Sequence, residues 1–114
     1  MRILFIEDDP RLADAFAALA ASNGHDAEVA YDGRSALALT GANAYDAIFL
    51  DIGLPDADGR ELCQRIRVAS INANACVVAV TGHANLSGEE LETFDGYLVK
   101  PILQETLEHA IRGC

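Results

Sequence analysis

The 114-residue chain has one lysine, Lys100, no tryptophan, and aromatic residues at only 6% of positions. Basic groups are few: eight Lys and Arg stand against 18 Asp and Glu, for a formal net charge of -10 at pH 7. A surface of that sign is unsuited to direct contact with nucleic acid or an anionic membrane, since both are recognised through clustered Lys and Arg. Long apolar runs are missing, and none approaches the roughly 18 residues of a membrane-spanning helix. There is no charged leader followed by an apolar stretch and a cleavage site, so a cytoplasmic location is expected. The three cysteines, Cys63, Cys76 and Cys114, show no C-x-x-C spacing and have no companion histidine pair. That pattern indicates neither a disulfide framework nor a zinc site, and predicts reduced thiols. No G-x-G-x-x-G follows the first apolar run, which excludes a dinucleotide-binding fingerprint.

What is present is a regular alternation. With 51% hydrophobic residues the chain can bury one core without staples. Apolar runs at 3–6, 27–30, 47–50, 76–80 and 96–99 alternate with amphipathic stretches at 10–22, 34–40, 59–69, 86–93 and 103–112. This predicts an α/β, doubly wound parallel sheet with right-handed crossovers, a single domain over 1–114. The first strand, apolar on both faces, should be central. Asp9 caps a helix with Pro10 in its first turn, and Leu12, Phe16 and Leu19 form its apolar stripe, with Asn23-Gly24 as the stop. In the last helix Leu103, Leu107 and Ile111 recur every four residues. Asp32-Gly33 and Asp58-Gly59 mark the turns before the second and third helices. The weakest stretch is 86–93, which holds an internal glycine and predicts one or two helical turns.

The sharpest charges lie just past the apolar runs. Ile3-Leu4-Phe5-Ile6 leads into Glu7, Asp8 and Asp9, Phe49-Leu50 into Asp51, Val80 into Thr81, and Tyr97-Leu98-Val99 into Lys100 and Pro101. In an open parallel sheet these positions meet in the crevice beyond the carboxyl ends of the strands. Two like charges about 4 Å apart repel by roughly 4 kcal/mol at an effective dielectric of about 20, so Glu7, Asp8 and Asp51 together require a cation. Carboxylate oxygens suit a Mg2+ ion that keeps several waters. Lys100 adds the remaining positive charge, and the set outlines a phosphoryl-transfer site with Asp51 as nucleophile and the Thr81 hydroxyl as a donor.

Taken in order, these motifs resemble the receiver domain of two-component response regulators over essentially the whole chain. The resemblance implies a flavodoxin-like sheet of order 2-1-3-4-5 flanked by five helices, the fourth short or irregular. It implies that Asp51 accepts phosphate from a histidine kinase or histidine phosphotransfer domain. It further implies that Glu7, Asp8, Asp51 and the Gly53 carbonyl bind Mg2+, and that Thr81 and Lys100 contact the phosphoryl group. Tyr97 matches the switch aromatic that moves with Thr81, and Pro101 matches a proline that is often preceded by a cis peptide. Gly53 and His83 match positions that flank the phosphoryl group; a small Gly53 is expected to leave water access while His83 tunes hydrolysis. A phosphorylation-dependent dimer is one partner arrangement the resemblance admits.

Two departures stand out. Thr81 and Lys100 are 19 positions apart, shorter than is usual in the family, with the loss falling in the fourth helix. Ile102 stands where phenylalanine is common. A metal-dependent phosphatase with an aspartyl intermediate also uses a strand-end Asp and a Lys, but it needs a second Asp two residues on, where this chain has Gly53. A phosphorylation-independent interaction module is the other rival. The reading is a signalling switch that is not a turnover enzyme.

Overall fold

A computed structural model describes residues 1–68, 71–82 and 92–114. The five apolar runs become β1 (Arg2–Ile6), β2 (Asp26–Ala30), β3 (Ala47–Asp51), β4 (Cys76–Thr81) and β5 (Gly96–Val99). Between and after them lie α1 (Pro10–Ser22), α2 (Gly33–Ala42), α3 (Gly59–Val68) and α4 (Gln104–Gly113), the last being the fifth helix expected from the sequence. The expected helix at 86–93 and His83 fall largely or wholly outside the described residues. All strand pairs are parallel, and the order is β2-β1-β3-β4-β5.

Strand side chains alternate between two faces, and each face has its own core. Ile3, Phe5, Phe49, Val78 and Val80 pack with Phe16 of α1 and with Leu107 and Ile111 of α4. Leu4, Ile6, Ile48, Leu50 and Ala79 pack on the other side with Ala36 of α2 and with Leu62 and Ile66 of α3. Sheet residues buried on both faces explain why these runs read as continuously apolar.

Helix starts follow the caps. The Asp9 carboxylate accepts the Arg11 N–H at 3.0 Å, Asp32 accepts that of Ser35 at 2.7 Å, and Asp58 accepts those of Arg60 and Glu61. Gly24, at φ 86°, follows α1 in the left-handed region that glycine tolerates. Two apolar stripes differ from expectation. In α1 the buried face centres on Ala13, Phe16 and Ala20, because small residues let the helix approach the sheet, and Leu12 is turned to the edge at 37% exposure. Leu103 is the N-cap residue of α4, ahead of its first turn, and is 67% exposed.

The cysteine expectation is also corrected. Cys63 is free and buried, but Cys76 and Cys114 form a disulfide. They lie 38 positions apart, and only the return of α4 across the sheet brings its end beside the start of β4.

Gly59 opens α3 against the β3–α3 turn. A Cβ there would lie 2.7 Å from the Ile52 Cα, a backbone atom with no room to yield. Gly59→Ala is therefore expected to destabilise the fold by about 1–3 kcal/mol, as overpacking does. Urea denaturation checks this, and an unchanged midpoint would contradict the close approach.

Candidate functional site

The sheet's hydrogen bonding continues one step past the strands and fixes the backbone of the site. Glu7 N–H donates to the Ala30 carbonyl at 3.0 Å, Ile52 N–H to Val80 at 3.1 Å, and Lys100 N–H to Thr81 at 2.7 Å. Register places Ile6 beside Leu50, Asp51 beside Val80, and Thr81 beside Val99. Glu7, Asp8, Asp51, Thr81 and Lys100 are thus gathered at the carboxyl ends of β1, β3, β4 and β5. The Lys100–Pro101 peptide bond is cis.

Within this crevice Lys100 Nζ lies 2.6 Å from Glu7 Oε1 and 3.4 Å from Asp51 Oδ2. Gly53 N–H donates to Asp51 Oδ1 at 2.9 Å, and Asp9 N–H to Glu7 Oε2 at 3.2 Å. Glu7, Asp51 and Thr81 are buried, whereas Asp8 is exposed. The short Lys100–Glu7 contact is an attraction between charges whose direction fails hydrogen-bond geometry, so the buried Glu7 Oε1 has no well-directed donor.

Burial pushes the Glu7 carboxyl up to about 7, and Asp51 beside it acts in the same direction, while Lys100 and the Asp9 N–H oppose them. Burial works against the Lys100 ammonium, but Glu7 and Asp51 outweigh it and hold its pKa above the usual value. The sign for stability follows from Glu7. Between 4.5, its ordinary value, and about 7 the folded protein retains a proton that the unfolded chain releases. This contribution to stability is complete below that window and is lost as pH rises through about 7. Without metal, the wild type is expected to lose more stability than Glu7→Gln between about pH 5 and pH 8. Chemical denaturation measures the difference, and parallel pH profiles would contradict the assignment.

One carboxylate oxygen each from Glu7, Asp8 and Asp51 lies within 4.8 Å of the others. Three hard carboxylate oxygen donors at this spacing fit a small divalent cation such as Mg2+. A cleft of about 400 Å3 opens there, lined by Asp8, Asp51, Ile52, Gly53, Thr81, Gly82 and Lys100. Tyr97 is not among its lining residues; it lies on β5 beside Ala79, 52% exposed. Sequence reasoning missed Ile52, Gly82 and the Asp9 N–H. Main-chain groups carry no side-chain signature, and only position next to Asp51, Thr81 and Glu7 marks them.

Among the described residues no helix is long and apolar enough to cross a membrane. Residues 3–112 match the model of the response regulator receiver domain. The transcriptional regulatory protein TcrA of Mycobacterium tuberculosis is 32% identical over 118 residues, covering 99% of this chain and 45% of TcrA. The chain spans about half the length of the curated relatives it matches. Among solved structures, a CheY-like receiver domain from Methylobacillus flagellatus is similar at a TM-score of 0.92 and 34% identity, covering 99% of this chain and 97% of that one. The receiver domain of the sensor histidine kinase PA1611 from Pseudomonas aeruginosa, which has a magnesium ion coordinated in its active-site cleft, is similar at a TM-score of 0.89 and 28% identity, covering 98% and 94%. Fold, strand-end constellation and matches over nearly the full chain agree, and the chain belongs to the response regulator receiver domain family.

Proposed function

We propose that the domain is a phosphoacceptor switch in which Asp51 takes a phosphoryl group from a phosphohistidine of a histidine kinase or phosphotransfer protein. The observation that carries this reading is the setting of the Asp51 carboxylate between the Gly53 N–H and the Lys100 ammonium, with Glu7 and Asp8 alongside. A carboxylate oxygen of Asp51 attacks phosphorus, the P–N bond breaks, and the imidazole leaves with the electron pair. Lys100 exchanges part of its contact with Asp51 for the incoming phosphoryl oxygens, where negative charge is concentrated. The Thr81 hydroxyl donates to one of those oxygens and reads the phosphorylated state, which Tyr97 passes to a partner surface. Glu7, Asp8, Asp51 and the Gly53 carbonyl would hold Mg2+, which would supply charge neutralisation. The magnesium in the cleft of the PA1611 receiver supports this cofactor. Glycine at 53 lacks the acid that a turnover phosphatase carries two residues after its nucleophile, which supports a switch over that rival.

Incubation with a small acyl phosphate and Mg2+ is expected to add one phosphoryl group by intact mass, with none on Asp51→Asn. An adduct that persists in that variant overturns the assignment. Mg2+ is also expected to raise the melting temperature, since a ligand at 100 times its Kd stabilises by about 2.7 kcal/mol. Thermal melts in millimolar Mg2+ check it, and the absence of a rise contradicts the site.

A further inference from the structure

The three cysteines are chemically unequal. Cys63 is buried in α3, and burial pushes its thiol pKa up, which suppresses the reactive thiolate. Cys76 and Cys114 are half-buried and paired, with their Cα atoms 5.6 Å apart. Both also line a groove of about 240 Å3 between β5 and α4, together with Tyr97, Leu98, His109 and Ala110. The groove therefore brings open space against both residues. The helix does not depend on the bridge for its docking, because Leu107 and Ile111 are buried in the core and Glu108 accepts a hydrogen bond from Asn23 at 2.9 Å. Loss of the bond is therefore expected to leave α4 on the sheet and to loosen only the residues after Ile111.

We propose that Cys76 and Cys114 form a reversible thiol–disulfide modification site for low-molecular-weight thiols and disulfides, whose oxidation state sets how firmly the end of α4 is held to β4. Oxidation begins when one cysteine thiolate attacks a sulfur of a small disulfide; that S–S bond breaks and one small thiolate leaves, giving a mixed disulfide. The second cysteine thiolate then attacks the protein sulfur of the mixed disulfide and expels the other small thiolate. The two cysteines lose two electrons to the small disulfide, and their two protons end on the released thiols. Excess monothiol runs the same two exchanges backwards. The closed loop contains Thr81, Tyr97 and Lys100, so this site acts on the segment that also holds part of the strand-end constellation, yet it sits at the opposite end of β4.

The test uses the folded 114-residue protein in glutathione buffers of varied ratio, with thiols blocked and mapped by mass. Excess glutathione disulfide is expected to yield a Cys76–Cys114 cross-link with Cys63 free, and excess glutathione to open it under native conditions, over repeated cycles. Hydrogen exchange at the end of α4 is expected to be about tenfold faster in the open form at short exchange times, before amides of β1 and β3 exchange through global unfolding. Cys76→Ser and Cys114→Ser are each expected to carry one glutathione adduct and no cross-link; position 114 lies beyond the helix, so that variant serves even if Cys76→Ser does not fold. A bond that stays closed in excess glutathione, adducts without a cross-link in the wild type, or equal exchange of α4 in both states would overturn the proposal.

Discussion

Lys100→Met is expected to slow phosphoryl uptake from a small acyl phosphate by about 100-fold, the scale seen when one preorganised charge-stabilising donor is removed. The same substitution is expected to lower metal-free stability by about 3 kcal/mol at alkaline pH, because it strands buried carboxylates without their cation. Lys100 contacts Glu7 at 2.6 Å and Asp51 at 3.4 Å, and both acids are almost fully buried. Below about pH 7 Glu7 takes up a proton and relieves part of that cost, so the loss shrinks as the solution is acidified. Denaturation at several pH values and single-turnover uptake measured by intact mass give the two numbers. Wild-type rates in Lys100→Met would remove the lysine from the reaction. Equal destabilisation across pH would remove Glu7 as its compensating partner.

Opening the Cys76–Cys114 bond is the other large expected effect. In the chain-entropy model, a bridge between residues 38 positions apart restricts the unfolded chain enough to contribute about 4 kcal/mol. For a domain of this length that corresponds to a drop in melting temperature of more than about 10 °C on reduction or in Cys114→Ser. Melts with and without dithiothreitol, with Cys114→Ser as the second arm, measure it. A wild type that melts alike in both conditions, while its thiols are shown to be reduced, would mean that the bond does not constrain the chain.

The fold was legible because its inner strands are short, apolar on both faces and bounded by turn residues, so Ile3 to Ile6 and Ala47 to Leu50 read correctly to within a residue. The site was legible for a related reason: Glu7, Asp8, Asp51 and Lys100 stand just past those runs, and a parallel sheet puts such positions at one end. What was hidden depends on contacts distant in sequence. Cys76 and Cys114 carry no spacing signal, and their pairing follows from the path of α4 over the sheet. Apolar residues at helical spacing pointed to Leu12 and Leu103, whereas close approach to the sheet selected Ala13 and Ala20 in α1, and the helix start left Leu103 outside α4. Asn72, between α3 and β4, drew no attention in the sequence, yet it is buried, accepts the Tyr45 N–H at 2.8 Å and donates to the Thr40 and Asn43 carbonyls. Gly59 reads as a turn residue, and its need for a bare Cα shows only against Ile52.

The central claim is that Asp51 carries the phosphoryl group in a metal-dependent reaction, and trapping the acyl phosphate tests it most directly. Protein exposed to a small acyl phosphate with Mg2+ is reduced with borohydride, which turns a phosphorylated aspartate into homoserine, and is then sequenced by fragmentation. Homoserine at position 51 in the Mg2+ sample, and none when the metal is chelated, is the predicted result. Homoserine at Asp8 or another acid, or equal conversion at Asp51 without metal, would contradict the account.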